Sequence, residues 1–166
     1  MKTISSISDL PNVPSVYAMY GGKGRGQYVA YVGIADKLKR RIIQHLINRD
    51  SSVATGTSAV GLNPDYVTEV RWWEYQGFKD RHFLVAAELV AFEVLDPALR
   101  SRGGIQQRSK DFYNNKSFRN SMLSLFSSEP TGCLTLPTLH DALEKIAELE
   151  QRLEEVKAKG NRGKTR

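Results

Sequence analysis

Ser15-Val16-Tyr17-Ala18-Met19-Tyr20 and Gln27-Tyr28-Val29-Ala30-Tyr31-Val32 decide the fold of this chain. In the first run Val16, Ala18 and Tyr20 point one way and Tyr17 and Met19 the other, the two-residue period of an extended strand. Gly21-Gly22-Lys23-Gly24-Arg25-Gly26 separates the two runs. Two strands joined by a glycine-containing loop read as a hairpin. The loop is longer than a tight turn, so the register stays open. It also lacks the spacing of a phosphate-binding or dinucleotide-binding loop, which argues against a nucleotide site.

Upstream, Pro11 and Pro14 bracket a short turn. Downstream, Gly33 ends the second strand. Asp36 reads as the N-cap of a helix through about Asn48. Leu38, Ile42 and Leu46 form its apolar stripe, with Arg41 and His45 together at one edge. Lys37, Lys39 and Arg40 spread over the other faces. Residues Arg49 to Asp65 have no period and read as a loop. Val67 to Tyr75 is β-branched and aromatic, the pattern of a third strand. Trp72 and Trp73 alternate faces there, so at least one belongs to the core. Arg81 to Leu95 is helical and apolar nearly all round, which predicts burial on more than one side. Pro97 ends it.

From Arg100 to Asn120, Arg100, Arg102, Arg108, Lys110, Lys116 and Arg119 stand against one acid, Asp111. The segment reads as a basic loop leading into a short helix from Ser117 to Phe126. The resulting division is a folded domain over 1–126, a Pro/Gly/Ser/Thr linker over 127–138, a helix over 139–158 and a basic, disordered tail over 159–166. Leu139, Ala142, Ile146, Leu149, Leu153 and Val156 give the helix a heptad seam. That seam can join two copies as a coiled coil or pack on its own domain.

The chain has 166 residues, 40% hydrophobic, with a formal net charge of +6. Such a balance favours a polyanionic partner. Cys133 is the only cysteine, which excludes an internal disulfide and a cysteine-rich zinc site. No run is apolar enough to span a bilayer, and the N-terminus has no signal-peptide pattern. The expected setting is cytoplasmic (intracellular).

Glu88 sits among Phe83, Leu84, Val85, Ala86, Ala87, Leu89, Val90, Ala91 and Phe92. A carboxylate in such company needs a cation or several donors. Mg²⁺, held by one or two carboxylates plus water and phosphate, is one answer; a local arginine is the other. Glu93 is the poorer candidate, about 140° further round the helix. Arg41 can hold a phosphate in bidentate fashion and His45 can relay a proton, or both can belong to a solvated basic face. Tyr17 and Tyr31 can be strand packing, or phenols whose pKa a cation lowers.

Taken together and in order, these residues resemble the GIY-YIG nuclease family. Val16-Tyr17 is similar to the first signature, with Ser15 where a glycine is usual. Tyr31-Val32-Gly33 is similar to the second. Arg41 follows Tyr31 by ten residues, His45 follows by four more, and Glu88 precedes Pro97 by nine. The resemblance covers about Pro14 to Arg100. Arg100 stands where the family often has an asparagine; Asn114, Asn115 and Asn120 are the nearby amides.

The resemblance implies an α/β fold with a small three-stranded antiparallel sheet flanked by helices, followed here by the heptad helix. It implies metal-dependent cutting of DNA phosphodiesters at one metal. Glu88 would hold Mg²⁺ or Mn²⁺, and Tyr17, with a lowered pKa, would take the proton of the attacking water. His45 and Tyr31 would orient that water, and Arg41 would bind the phosphate. Lys37, Arg40, Arg100, Arg102, Arg108 and Lys110, with the tail, would contact DNA phosphates. The alternative is a non-catalytic nucleic-acid-binding or assembly module that keeps the fold and forms a homodimer through residues 139–158.

Overall fold

The computed structural model describes residues 1–22, 24–50, 62–100 and 104–162, with side chains described as far as residue 157. The chain forms two compact units, Met1–Leu136 and Pro137–Arg166. In the first, strands β1 (Lys2–Ile4), β2 (Ser15–Gly21) and β3 (Tyr28–Ala35) precede helix α1 (Leu38–Leu46). Strand β4 (Val67–Trp73), helix α2 (Arg81–Leu95) and the two-residue β5 (Leu99–Arg100) follow. Helices α3 (Gln107–Asn114) and α4 (Lys116–Ser127) lead to β6 (Gly132–Thr135). The second unit is helix α5 (Leu139–Arg162).

The sheet has six strands in the order β1-β6-β4-β2-β3-β5. It is mixed. β2 pairs antiparallel with β3 and β4, and β4 with β6, whereas β1–β6 and β3–β5 are parallel. The expected small three-stranded antiparallel sheet is thus corrected: β3-β2-β4 is only its middle. β6 also overturns the reading of 127–138 as a linker. Its Gly-Cys-Leu-Thr run carries no period, and its parallel partner is the far N-terminus, with Lys2 opposite Gly132. Gly132 is required by close approach, because a Cβ there would lie 2.1 Å from Trp72 Cζ2. The basic loop of 100–120 likewise contains α3.

The alternation in β2 is as the sequence predicts. Val16, Ala18 and Tyr20 join Val32, Trp73 and the buried faces of α2 and α4 in one core layer. Tyr17 and Met19 join Tyr31, Val70, Trp72, Leu38 and Ile42 in the other, on the α1 side. Both tryptophans are therefore core. Asp36 is not the α1 cap; Lys37 occupies that position and makes no side-chain cap bond. The N–H groups of Leu38 and Lys39 donate instead to the carbonyls of Val13 and Pro11, each at 3.2 Å. This ties the start of α1 to the turn before β2 and frees the Asp36 carboxylate.

In the second unit, Thr138 and Asp141 cap α5 reciprocally: Asp141 N–H donates to Thr138 Oγ1 and Thr138 N–H to Asp141 Oδ2. The helix continues past residue 158, so Lys159 and Arg162 of the expected tail are helical, while Lys164 and Arg166 lie outside the described residues. Among the described residues no helix is long and apolar enough to cross a membrane.

Candidate active site

Tyr17 faces Gly33 across the β2–β3 ladder, and Tyr31 is two residues before Gly33 on the same face. The two phenols are thus diagonal neighbours, with ring centroids 6.1 Å apart. Gly33 makes their meeting possible. A Cβ there would lie 2.8 Å from Tyr17 Oη and 2.9 Å from Tyr31 Oη. The glycine that the sequence marks as a strand end is the floor on which both hydroxyls rest.

Helix α1 brings the next two groups. Leu38, Ile42 and His45 are its fully buried residues, and Leu46 is only half-buried. His45 Nε2 lies 2.7 Å from Tyr17 Oη, and its ring is 5.6 Å from that of Tyr31. One turn earlier, Arg41 faces both phenols closely enough to act on each through charge and hydrogen bonding. Glu88 arrives from α2, on the opposite layer, and is 7% exposed. Arg41 from α1 and Glu88 from α2 meet beside Tyr31 and Ile34 of β3, where β5 pairs with Tyr31 and Val32.

A cleft of about 290 Å³ opens there, with Tyr31, Arg41, Arg81 and Glu88 as its polar lining and Ile34 and Phe92 among its apolar walls. A groove of about 440 Å³ adjoins it, lined by Asp36, Lys37, Arg40, Arg41, Gln44 and Arg81. All five expected catalytic residues therefore converge, but in two tiers. Tyr31, Arg41 and Glu88 meet the cleft, whereas Tyr17 and His45, both 0% exposed, stand behind them.

The electrostatics change one expected role. Burial pushes the Tyr17 phenol well above the usual tyrosine value; Tyr31 adds to the rise and Arg41 opposes it. A lowered pKa for Tyr17 is thus corrected, since desolvation outweighs the guanidinium. Tyr31 is also raised, by burial and then by the Glu88 charge, with Arg41 and a hydrogen bond from Tyr17 acting the other way. Burial, with Arg41, lowers His45 to about 3, so the imidazole is neutral. Tyr17 Oη hydrogen-bonds His45 Nε2, with the donor set by the imidazole tautomer, and also hydrogen-bonds Tyr31.

Among the described residues no group of three His, Cys, Asp or Glu could enclose a metal ion. A single cleft-lining carboxylate still fits an ion that draws its remaining ligands from water and substrate phosphate, as Mg²⁺ does. Glu93 lies elsewhere, bound by Arg119 and Tyr113.

The expected phosphate-binding residues divide. Lys37 and Arg40 line the groove. Arg100 is ion-paired with Asp96 and lies over the Phe92 ring at the cleft wall, and Arg108 is paired with Asp80. Lys110 is exposed on α3, lining neither cavity, and Arg102 lies outside the described residues. Asn115 caps α4 through Phe118 N–H, and neither it nor Asn114 nor Asn120 lines the cleft. The residue the sequence reading missed is Arg81, which lines both cavities. Its signal was the spacing to Glu88, seven positions on and nearly two helical turns along the same face.

No family model, no curated protein and no solved structure matches this chain.

Proposed function

We propose that this chain is a metal-dependent endonuclease of the GIY-YIG type, hydrolysing DNA phosphodiester bonds at the cleft between α1 and α2. The observation that carries this reading is the meeting of Tyr31, Arg41 and Glu88 on one cleft, with the hydrogen-bonded Tyr17–His45 pair behind Tyr31. Cations lining the adjoining groove, Lys37 and Arg40, and the net charge of +6 fit a polyanion.

In this reading Glu88 holds Mg²⁺ or Mn²⁺, which when bound supplies charge neutralisation at the scissile phosphate. Arg41 donates to the non-bridging oxygens as their charge grows. Tyr31, not Tyr17, meets the attacking water and takes its proton. Its phenolate is stabilised by Arg41 and by a hydrogen bond from the Tyr17 hydroxyl, whose oxygen accepts in turn from the Nε2–H tautomer of His45. His45 holds Tyr17 in place and remains neutral. Burial is the larger cause of both rises, but neutralising Glu88 removes a charge that adds to them, so Tyr31 becomes a better base once the site is loaded.

The second reading, a nucleic-acid-binding or assembly module without cutting activity, is favoured by α5. Leu139, Leu143, Ile146, Leu149, Leu153 and Val156 are all more than half exposed along it. Such a seam suits a second copy of the helix. Incubation of plasmid, single-stranded and branched DNA with Mg²⁺ or Mn²⁺, against an EDTA control, separates the two. Metal-dependent nicking supports the endonuclease. Binding without nicking on every substrate leaves the module.

A further inference from the structure

Arg41 and Arg81 approach the junction of the cleft and the groove from different helices, α1 and α2, and both line both cavities. Two guanidiniums facing one passage repel each other unless an anion lies between or beside them. Glu88 is one such anion on the cleft side, and Asp36 is the one on the groove side: Arg81 Nη1 donates to Asp36 Oδ1 at 3.2 Å. The side chains of Arg81 and Asp36 are 56% and 72% exposed, so the pair is solvated and contributes little stability. Asp36 is available for this pairing because backbone carbonyls, not its carboxylate, satisfy the start of α1. The groove's charged lining is otherwise wholly cationic: Lys37, Arg40 and Arg41.

An exposed, singly hydrogen-bonded Arg–carboxylate pair at the mouth of a cationic groove is easily exchanged for a phosphate, which an arginine can engage through two N–H groups. We infer that Arg81 is a second phosphate ligand, taking the phosphodiester next to the one bound by Arg41, with Asp36 as an anionic placeholder displaced when the strand enters. This rests on the endonuclease reading and adds the direction of the strand: from the Glu88 cleft, past the Arg41–Arg81 junction, into the Lys37–Arg40 groove.

The test is binding of a fluorescently labelled DNA oligonucleotide in EDTA, by anisotropy over a salt series, with melting curves to verify folding. Arg81→Gln should weaken binding about five- to tenfold and reduce the salt slope by about one phosphate contact. Arg81→Lys, which keeps the charge and loses the fork, should fall between it and the unaltered protein. Asp36→Asn should tighten binding about two- to fivefold, and should have no effect in the Arg81→Gln background. An Arg81→Gln protein that is folded and binds with unaltered affinity and slope overturns this inference alone. An Asp36→Asn gain that persists without Arg81 overturns the exchange, since Asp36 would then be repelling the strand directly. Unaltered protein that neither binds nor cuts any DNA overturns the endonuclease reading, and this inference with it.

Discussion

Tyr17 Oη lies 2.7 Å from His45 Nε2, and neither side chain reaches solvent. A buried hydroxyl and a buried imidazole each need a hydrogen-bond partner, and this contact supplies one to each. The pair fixes the second tier of the site: it holds Tyr17 against Tyr31, while burial and then the Arg41 charge keep His45 neutral.

Acid should therefore unfold this protein through His45. Its folded value of about 3 lies below the ordinary 6.5, so between those values the unfolded state binds the extra proton. The contribution is fully present above about pH 6.5 and is lost as pH falls towards 3, by about 1.4 kcal/mol per pH unit. Denaturant titrations across that range should show the slope. His45→Gln should flatten it, and an unchanged slope in that variant would assign the acid sensitivity elsewhere.

Tyr17→Phe should remove the hydroxyl that lies 2.7 Å from the buried His45 Nε2. A loss of about 1–3 kcal/mol is expected by chemical denaturation. Cutting should fall as well, because Tyr31 loses the hydrogen bond that favours its phenolate.

The rate of metal-dependent nicking should climb with pH. Tyr31 is raised above the ordinary tyrosine value, so its deprotonated fraction grows about tenfold per unit through the neutral range. A log rate rising with a slope near one from about pH 7 to 9, and lost in Tyr31→Phe, is the expected profile. A flat profile would remove the phenol from the proton transfer.

Glu88→Ala should abolish nicking and keep DNA binding. Glu88 does not line the groove, where Lys37 and Arg40 lie. Cutting at the unaltered rate would defeat the metal assignment. Gly33→Ala should act on the same readout by a different route. Its Cβ would lie 2.8 Å from Tyr17 Oη, forcing the phenols apart, at a cost of about 1–3 kcal/mol in stability.

Ile146 and Leu149 lie in the exposed seam of α5. If α5 joins two copies, Ile146→Glu with Leu149→Glu should halve the mass measured by light scattering and leave nicking at saturating enzyme intact. Removal of the chain after Pro137 should also weaken DNA binding and flatten its salt dependence, since the basic tail goes with it. An equal salt slope would show that the tail makes no phosphate contact.

Much of the site was legible because its residues announce themselves locally. The period in β2 placed Tyr17 and Val16 on opposite faces, and α2 runs over the predicted Arg81–Leu95. Long, strongly patterned elements carry their own signal. β1, β5 and β6 do not: they have three, two and four residues, and all three pair in parallel with distant segments. The tiering of the site was hidden for a related reason. Whether Tyr17 or Tyr31 meets the cleft depends on how deep each phenol lies in the packed layers, which distant segments assemble. Desolvation then decides the sign of the phenol shifts, and burial depth is a property of the packed layers.

β6 lies between β1 and β4, hydrogen-bonded to both. A fragment stopped at Phe126, where the sequence suggests the folded part ends, would strip one side of β4 bare and leave β1 with nothing to join. Open strand edges of that kind recruit other chains. The shortest piece fit for crystallisation or assay is therefore one that runs to Leu136, and shorter ones should be recovered as aggregates.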